Sequence, residues 1–325
     1  MRWYETLGDN PKGAHIISEQ DADDVLRRTL GHDAISGISH APEEIAYVRA
    51  CLIGDDVVNN KALKMLAFGN ADQKLGKAYR HCASDDEVYE ATGVPVNHYG
   101  IIDRDEFDGV QRVVCFFNLT TVLRSGITRY LDGDHLRHIH GLLFKGSFDW
   151  TGRYRNAGAY DIHGNPYPSP EDARYRMDHL FEMIAANRYL VGVSLDYLIR
   201  SLANIMGWIL EIHPFMDGNS RIARAFVETL ALNCGYDLDL SAVPKRTFDR
   251  ACLYFKNGNR DWMRLCVAMN IKRICDPGPV FAHRYSCRTL AHRMVSMIYD
   301  YASEDRWRRD DNDMEVLTGY DSIRD

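Results

Sequence analysis

Apolar residues along this chain recur mostly every three or four positions, the period of an amphipathic helix rather than the alternation of a half-buried strand. Leu195, Leu198, Ile199, Leu202, Ile205, Met206 and Ile209 make one such stripe. Ser194 precedes it as a candidate N-cap, and Pro214 disfavours helical geometry at His213, so this helix is predicted to stop near Glu211. A second stripe, Ile222, Ala223, Phe226, Val227 and Leu230, closes at Gly235. Met177, Leu180, Phe181 and Ile184 share the face of a third helix that Ser169, Pro170 and Asp172 start. Leu136, Ile139 and Leu143 mark a shorter one, and Asp103 with Glu106 forms a capping-box pattern that opens a helix running toward Arg124. Residues 156–168 break the rhythm, and their Ile162-His163-Gly164-Asn165-Pro166-Tyr167 centre suits a short hairpin or irregular flap. Asp276-Pro277-Gly278-Pro279 is the clearest break. Beyond it Leu290, Met294, Met297, Ile298 and Tyr301 predict one further helix, and residues 303–325 read as a charged, frayed tail. The pattern predicts an all-α fold.

The connection between the first two stripes concentrates chemistry. It reads His213-Pro214-Phe215-Met216-Asp217-Gly218-Asn219-Ser220-Arg221-Ile222-Ala223-Arg224. A helix N-terminus gathers unpaired amides and partial positive charge, which favours anions. Asn219 is the candidate N-cap, and Gly218 lets the backbone turn and approach a ligand. Arg221 and Arg224, three apart, project from one face, where guanidinium forks match phosphate oxygens. Asp217 offers the hard oxygen that Mg²⁺ prefers when the ion also holds phosphates. His213 lies upstream of this nest, where a neutral imidazole can take a proton from an incoming hydroxyl. Residues 156–167, with Ile162, His163, Gly164 and Asn165 at the tip, are expected to offer a free strand edge along which a binding partner can pair.

The twelve residues resemble the signature of the Fic family, HPFx(D/E)GNGRxxR, and agree at every defined position except Ser220, where the family has its second glycine. Residues 134–144 and then Trp150-Thr151-Gly152-Arg153-Tyr154-Arg155 resemble the family's preceding helix and W-A-G-x-x-R segment, so the likeness runs over about residues 97–273. The resemblance implies a Fic-type helical bundle with a short β-hairpin flap beside the active-site loop. It further implies transfer of AMP from ATP, with Mg²⁺, to a Tyr, Thr or Ser hydroxyl of a target protein. On this reading His213 is the general base and Asp217 the metal ligand. Gly218, Asn219 and Ser220 form the phosphate nest, and Arg221 and Arg224 hold the distal phosphates. Relatives that transfer UMP, phosphocholine or phosphate leave the donor open. A catalytically impaired nucleotide-binding module is a third reading, supported by Ser220 and opposed by the intact His213 and Asp217. The implied organisation is an N-terminal helical region (1–96), a Fic core (97–275) and a C-terminal helix with its tail (276–325).

Many Fic proteins carry an inhibitory segment, (S/T)xxxE(G/N), whose glutamate pairs with the second motif arginine. Ala34-Ile35-Ser36-Gly37-Ile38-Ser39 resembles a degenerate version, with Ser36 at the glutamate position and His32 at the Ser/Thr position. A short chance match is the other reading. If the match is real, no carboxylate there can pair with Arg224, which is then expected to be free for the distal phosphate.

Composition narrows the classes. A length of 325 residues with 46% hydrophobic content allows one large domain or two modest ones with a sizeable core. The net charge of −7 argues against a nucleic-acid partner. No run approaches the roughly 20 apolar residues of a membrane span, and the start shows no apolar signal region. A cytoplasmic setting is expected, with export as an effector as the alternative. The expected partners are a nucleotide and a hydroxyl-bearing protein, and the oligomeric state is left open. Eight cysteines show neither a CxxC pair nor zinc spacing. His135, His138 and His140 lack the HExxH pattern and read as solvated or capping histidines more than a metal site. Trp150 reads as a core residue, and residues 69–77 lack P-loop spacing.

Overall fold

The computed structural model describes residues 16–56, 88–89, 92–124, 131–161 and 163–274. Small polar side chains start most of its helices, each such cap contributing about 1 kcal/mol. The Ser18 hydroxyl accepts from the Asp21 amide at the head of α1 (Glu19–Ile35). Helix α2 (Pro42–Ile53) opens on a proline, with Glu44 accepting from the Ala41 amide at 3.0 Å. Asp103 accepts from the Glu106 amide at 2.9 Å before α3 (Arg104–Arg124), which is half of the expected capping box. Asp132, Ser169 and Ser194 do the same for α4 (Gly133–Leu143), α5 (Pro170–Ala186) and α6 (Leu195–Ile212). Three further helices follow: α7 (Asn219–Asn233), α8 (Lys245–Lys256) and α9 (Asp261–Ala268). Among the described residues strand is confined to β1 (Tyr236–Leu238) and β2 (Ile271–Arg273), an antiparallel pair in which Asp237 faces Lys272. The fold is all-α, as the periodicity predicts, with this small sheet as an addition.

Helix α6 is the hub. Leu198, Leu202, Ile205, Met206, Trp208 and Ile209 are completely buried, and the helix packs against α5, α7, α8 and α9. Burying each aliphatic side chain contributes roughly 1.5–3 kcal/mol, so the element ahead of the HPF loop is firmly anchored. Gly207 lets α8 approach, since a Cβ there would lie 2.3 Å from Phe255 Cζ. The N-terminal helices form a second cluster, in which Ile17, Val25, Leu26, Val48 and Leu52 close over Phe116 of α3. That docking carries the end of α1 onto α7. No helix among the described residues is long and apolar enough to cross a membrane. The helix expected over 290–301, the 276–279 break, the tail, residues 69–77 and Ile162 lie outside the described residues.

Candidate active site

Helix α6 ends at His213, whose φ of 51° is left-handed. A non-glycine residue held there is strained by about 1 kcal/mol or more, and surrounding contacts must hold it. Arg155 does so. It is 1% exposed; its Nε donates to the His213 carbonyl at 2.7 Å and its backbone amide to the Pro214 carbonyl at 2.9 Å. The same guanidinium donates to the carbonyls of Ala157 and Pro168, at the two roots of the flap. One buried arginine therefore fixes the base candidate and the flap together. The His213 ring lies flat against Tyr167, with centroids 4.0 Å apart and planes 13° from parallel.

The loop then closes on itself. Phe215 is fully buried and stacks on His140 at 4.1 Å and 11°. Its amide donates to Asn219 Oδ1 and its carbonyl accepts from Asn219 Nδ2, both at 2.9 Å. This corrects the expected role of Asn219, which is the first residue of α7 and not its N-cap. Gly218 takes the cap position with φ of 75°. A side chain there would be strained, and its Cβ would stand 2.7 Å from Phe144 Cε2. The first i→i−4 bond of α7 runs from the Ile222 amide to the Gly218 carbonyl. The amides of Asn219, Ser220 and Arg221 therefore sit in the orphaned first turn that attracts anions. Asp217 is exposed at the lip, with Oδ1 accepting from the Gly218 amide at 2.6 Å.

Both motif arginines point into the protein. Arg221 lies 3.7 Å from Asp33 and over the Phe144 ring. Burial works against its charge, but Cys115, Asp33 and Asp217 outweigh it and hold its pKa above the usual value. Arg224 is completely buried, and burial pushes its pKa down to about 10 despite the Glu228 carboxylate nearby. It is not free, contrary to the expectation drawn from the missing glutamate. Its Nε donates to His32 Nδ1 at 3.1 Å, and its Nη2 to the His32 carbonyl at 2.8 Å and Ser36 Oγ at 3.0 Å. Its Nη1 donates to Ser220 Oγ at 2.5 Å. An arginine Nε–H can only donate, so His32 Nδ1 accepts and Nε2 carries the hydrogen toward Glu228, 3.1 Å away. The end of α1 and Ser220, the one departure from the signature, thus meet on the same guanidinium.

The flap is a hairpin turn joined by a bridge between Tyr160 and Pro166. Asp161 Oδ1 accepts from the amides of His163 and Asn165 at 2.9 Å, and Lys256 at the end of α8 reaches Oδ2 at 2.8 Å. His163, Gly164 and Asn165 are exposed at the tip. Among the other histidines, His135 and His140 are buried and not solvated as expected; burial pushes their pKa values down to about 4 and about 3. His140 Nδ1 accepts from the Gly152 amide at 2.8 Å. Among the described residues no group of three or more His, Cys, Asp or Glu side chains is arranged for a metal ion. Sequence reasoning missed Arg155, Tyr167, His140, Asp161 and the His32 contact. Arg155 carried a signal, as the last residue of the W-x-G-x-x-R segment.

A model of the Fic/DOC family matches residues 130–231. The probable protein adenylyltransferase Fic of Escherichia coli strain K12 is 30% identical over 167 residues, covering 51% of this chain and 82% of that protein. The chain belongs to the Fic/DOC family. Protein adenylyltransferase VbhT of Bartonella schoenbuchensis is 26% identical over 180 residues, which are 55% of this chain and 37% of VbhT. The chain thus spans little more than a third of that relative, and 32% of a protein adenylyltransferase of Bartonella henselae. Among solved structures, BepC of Bartonella tribocorum with bound AMPPNP aligns with a TM-score of 0.53 at 21% identity, covering 59% of this chain and 99% of that one. That likeness concerns the fold. Behind the HPF loop of this chain, Arg224 is already held by the N-terminal helix α1.

Proposed function

We propose that this chain transfers AMP from ATP to a Tyr, Thr or Ser hydroxyl of a target protein. The observation that carries the reading is one short loop that joins His213, an exposed carboxylate, Asp217, and an orphaned helix N-terminus. Relatives named protein adenylyltransferases, and Bartonella Fic structures with bound AMPPNP or ADP, support the choice of nucleotide. In the proposed reaction the target hydroxyl gives its proton to His213 while its oxygen attacks the α-phosphorus. The bond to the bridging oxygen breaks and pyrophosphate leaves. General-base assistance of this kind contributes about 10²–10⁴-fold. The amides of 219–221 and the guanidinium of Arg221 stabilise charge on the phosphate oxygens.

Asp217 fits a Mg²⁺ ion of the kind bound by one carboxylate plus substrate phosphates, because it is exposed and oriented through one oxygen by the Gly218 amide. When bound there, the ion would neutralise phosphate charge. The flap tip, His163, Gly164 and Asn165, together with Ile162, is read as the target-docking edge. We divide the chain into a core over 97–275 and flanking segments over 1–96 and 276–325, and assign residues 32–39 a regulatory role because they hold Arg224. Incubating the chain with each labelled nucleoside triphosphate in lysate, followed by mass spectrometry of modified side chains, tests the reading. Label from ATP alone on hydroxyl side chains, lost in His213→Ala, is the expected result. Label from another donor moves the assignment to that donor.

A further inference from the structure

The flap does more than border the site, because one of its residues lies on the base candidate. Tyr167 covers one face of the His213 imidazole, 4.0 Å between centroids and 13° from parallel. The two residues are also tied through their backbones. The Tyr167 amide donates to the Ala159 carbonyl at 2.9 Å, a rung of the flap hairpin. The next carbonyl, Pro168, accepts from Arg155, whose Nε holds the His213 carbonyl at 2.7 Å. Ring and backbone contacts therefore close a cycle that couples the flap to the base.

The geometry points to Tyr167 as a positioning residue for the transfer, one whose ring orients His213 and stabilises the cation that His213 becomes on accepting the target's proton. This rests on the reading of His213 as the base. An aromatic face carries negative quadrupole density and attracts a cation within about 6 Å of its centroid. A neutral imidazole gains little from that density, whereas an imidazolium gains much. The contact therefore strengthens as the proton transfers, and an interaction stronger in the transition state than in the ground state raises kcat. At the usual strength of such contacts the effect is about 2- to 30-fold in kcat. The charged groups around this face include Arg155, which reaches the His213 carbonyl from the flap roots, and Arg174 and Glu171, which act on Arg155.

The test separates π density from bulk. Position 167 is changed to Phe, to phenylalanines carrying successively more ring fluorines, and to Leu. Each full-length variant is assayed for kcat and KM on the protein labelled in lysate, and for ATP affinity by calorimetry. Nitrogen-15 NMR then follows the His213 ring through a pH titration, with His213→Ala identifying its signal. Tyr167→Phe should stay within about threefold of the parent, since either ring has a π face. Fluorination keeps the shape but drains the face, so kcat should fall step by step toward the Leu variant. KM and ATP affinity should hold, and the His213 titration midpoint should fall in the same order. Equal kcat and equal midpoints across the series, or a loss confined to KM, would overturn the proposal. Retained transfer in His213→Ala would instead remove the base reading itself, whereas an inert His213→Ala beside a flat fluorine series refutes the Tyr167 role alone.

Discussion

Residues 32–39 can be tested through Ser36, because its hydroxyl is the most easily edited of the contacts that hold Arg224. The guanidinium is completely buried and donates to His32 Nδ1, the His32 carbonyl, Ser36 Oγ and Ser220 Oγ at 2.5–3.1 Å. Serving a distal phosphate requires giving up part of that set. Ser36→Ala removes one bond at a half-buried position where water can partly replace it, so the release is worth about 1 kcal/mol, roughly fivefold tighter Mg²⁺–ATP binding. Ser36→Glu places a carboxylate against the same nitrogen. A charge-assisted bond is about twice as strong as a neutral one, so its affinity should fall about thirtyfold below that of Ser36→Ala. Calorimetry at low and high salt reads both changes, and the Ser36→Glu deficit should shrink at high salt because the position is partly exposed. Coupling is reciprocal, so ATP should in turn speed hydrogen exchange of the amides at 32–36. If all three chains bind ATP equally, Arg224 does not leave its cluster and its assignment to a phosphate falls.

Other substitutions address the remaining roles. His213→Ala should abolish transfer while ATP affinity changes by no more than about threefold, since the ring lies outside the orphaned amides of α7; a transfer assay with calorimetry decides it. Asp217→Ala should remove the Mg²⁺ dependence of nucleotide binding, and an unchanged Mg²⁺ titration would mean that this carboxylate has another task. Ser220→Gly frees one bond to Arg224 and restores the family residue, so turnover should change by less than about tenfold, under roughly 1.4 kcal/mol. A hundredfold rise would favour the impaired-module reading. His140 is held near 3 by burial against about 6.5 unfolded, so its contribution is fully present above pH 6.5 and is lost as pH falls toward 3. The stability advantage of the parent over His140→Asn should therefore shrink by up to about 1.4 kcal/mol per pH unit below 6.5 in urea unfolding, and parallel curves would contradict it.

The helices were legible because stripe and cap agree at Ser169 and Ser194, two local signals pointing the same way. The small sheet was not, because Tyr236-Asp237-Leu238 and Ile271-Lys272-Arg273 are too short for alternation to register. At the site, the loop residues could be grouped from their order along the chain, but their connections could not. Asn219 favours an N-cap by type, yet its amide faces back to Phe215 because Gly218 alone takes the left-handed turn without strain. His140 could have been placed in the core, since it follows Leu136 by four positions and precedes Leu143 by three, on one helical face. The engagement of Arg224 left only the degenerate match at 32–39 as a trace, and its actual partners could not be read because His32 lies 192 positions away in sequence.

Two buried arginines, Arg155 and Arg224, organise this site, and their partners explain why one is a fixture and the other suited to release. Arg155 donates to the carbonyls of His213, Ala157 and Pro168, all in backbone that it locks in place, and its movement would unseat both base and flap. Arg224 is also held by neutral acceptors, two on His32 and one each on Ser36 and Ser220. The nearby carboxylate, Glu228, faces His32, which stands between it and the guanidinium. A buried cation satisfied by dipoles keeps its hydrogen bonds but gains less Coulomb energy than from a direct ion pair. A phosphate carrying full negative charge can therefore compete with such a cradle where it would struggle against a glutamate. Ser36, where the resemblance has a glutamate, and Ser220, where the signature has glycine, each offer Arg224 a neutral oxygen. With His32 they form a polar cradle that positions Arg224 without neutralising it.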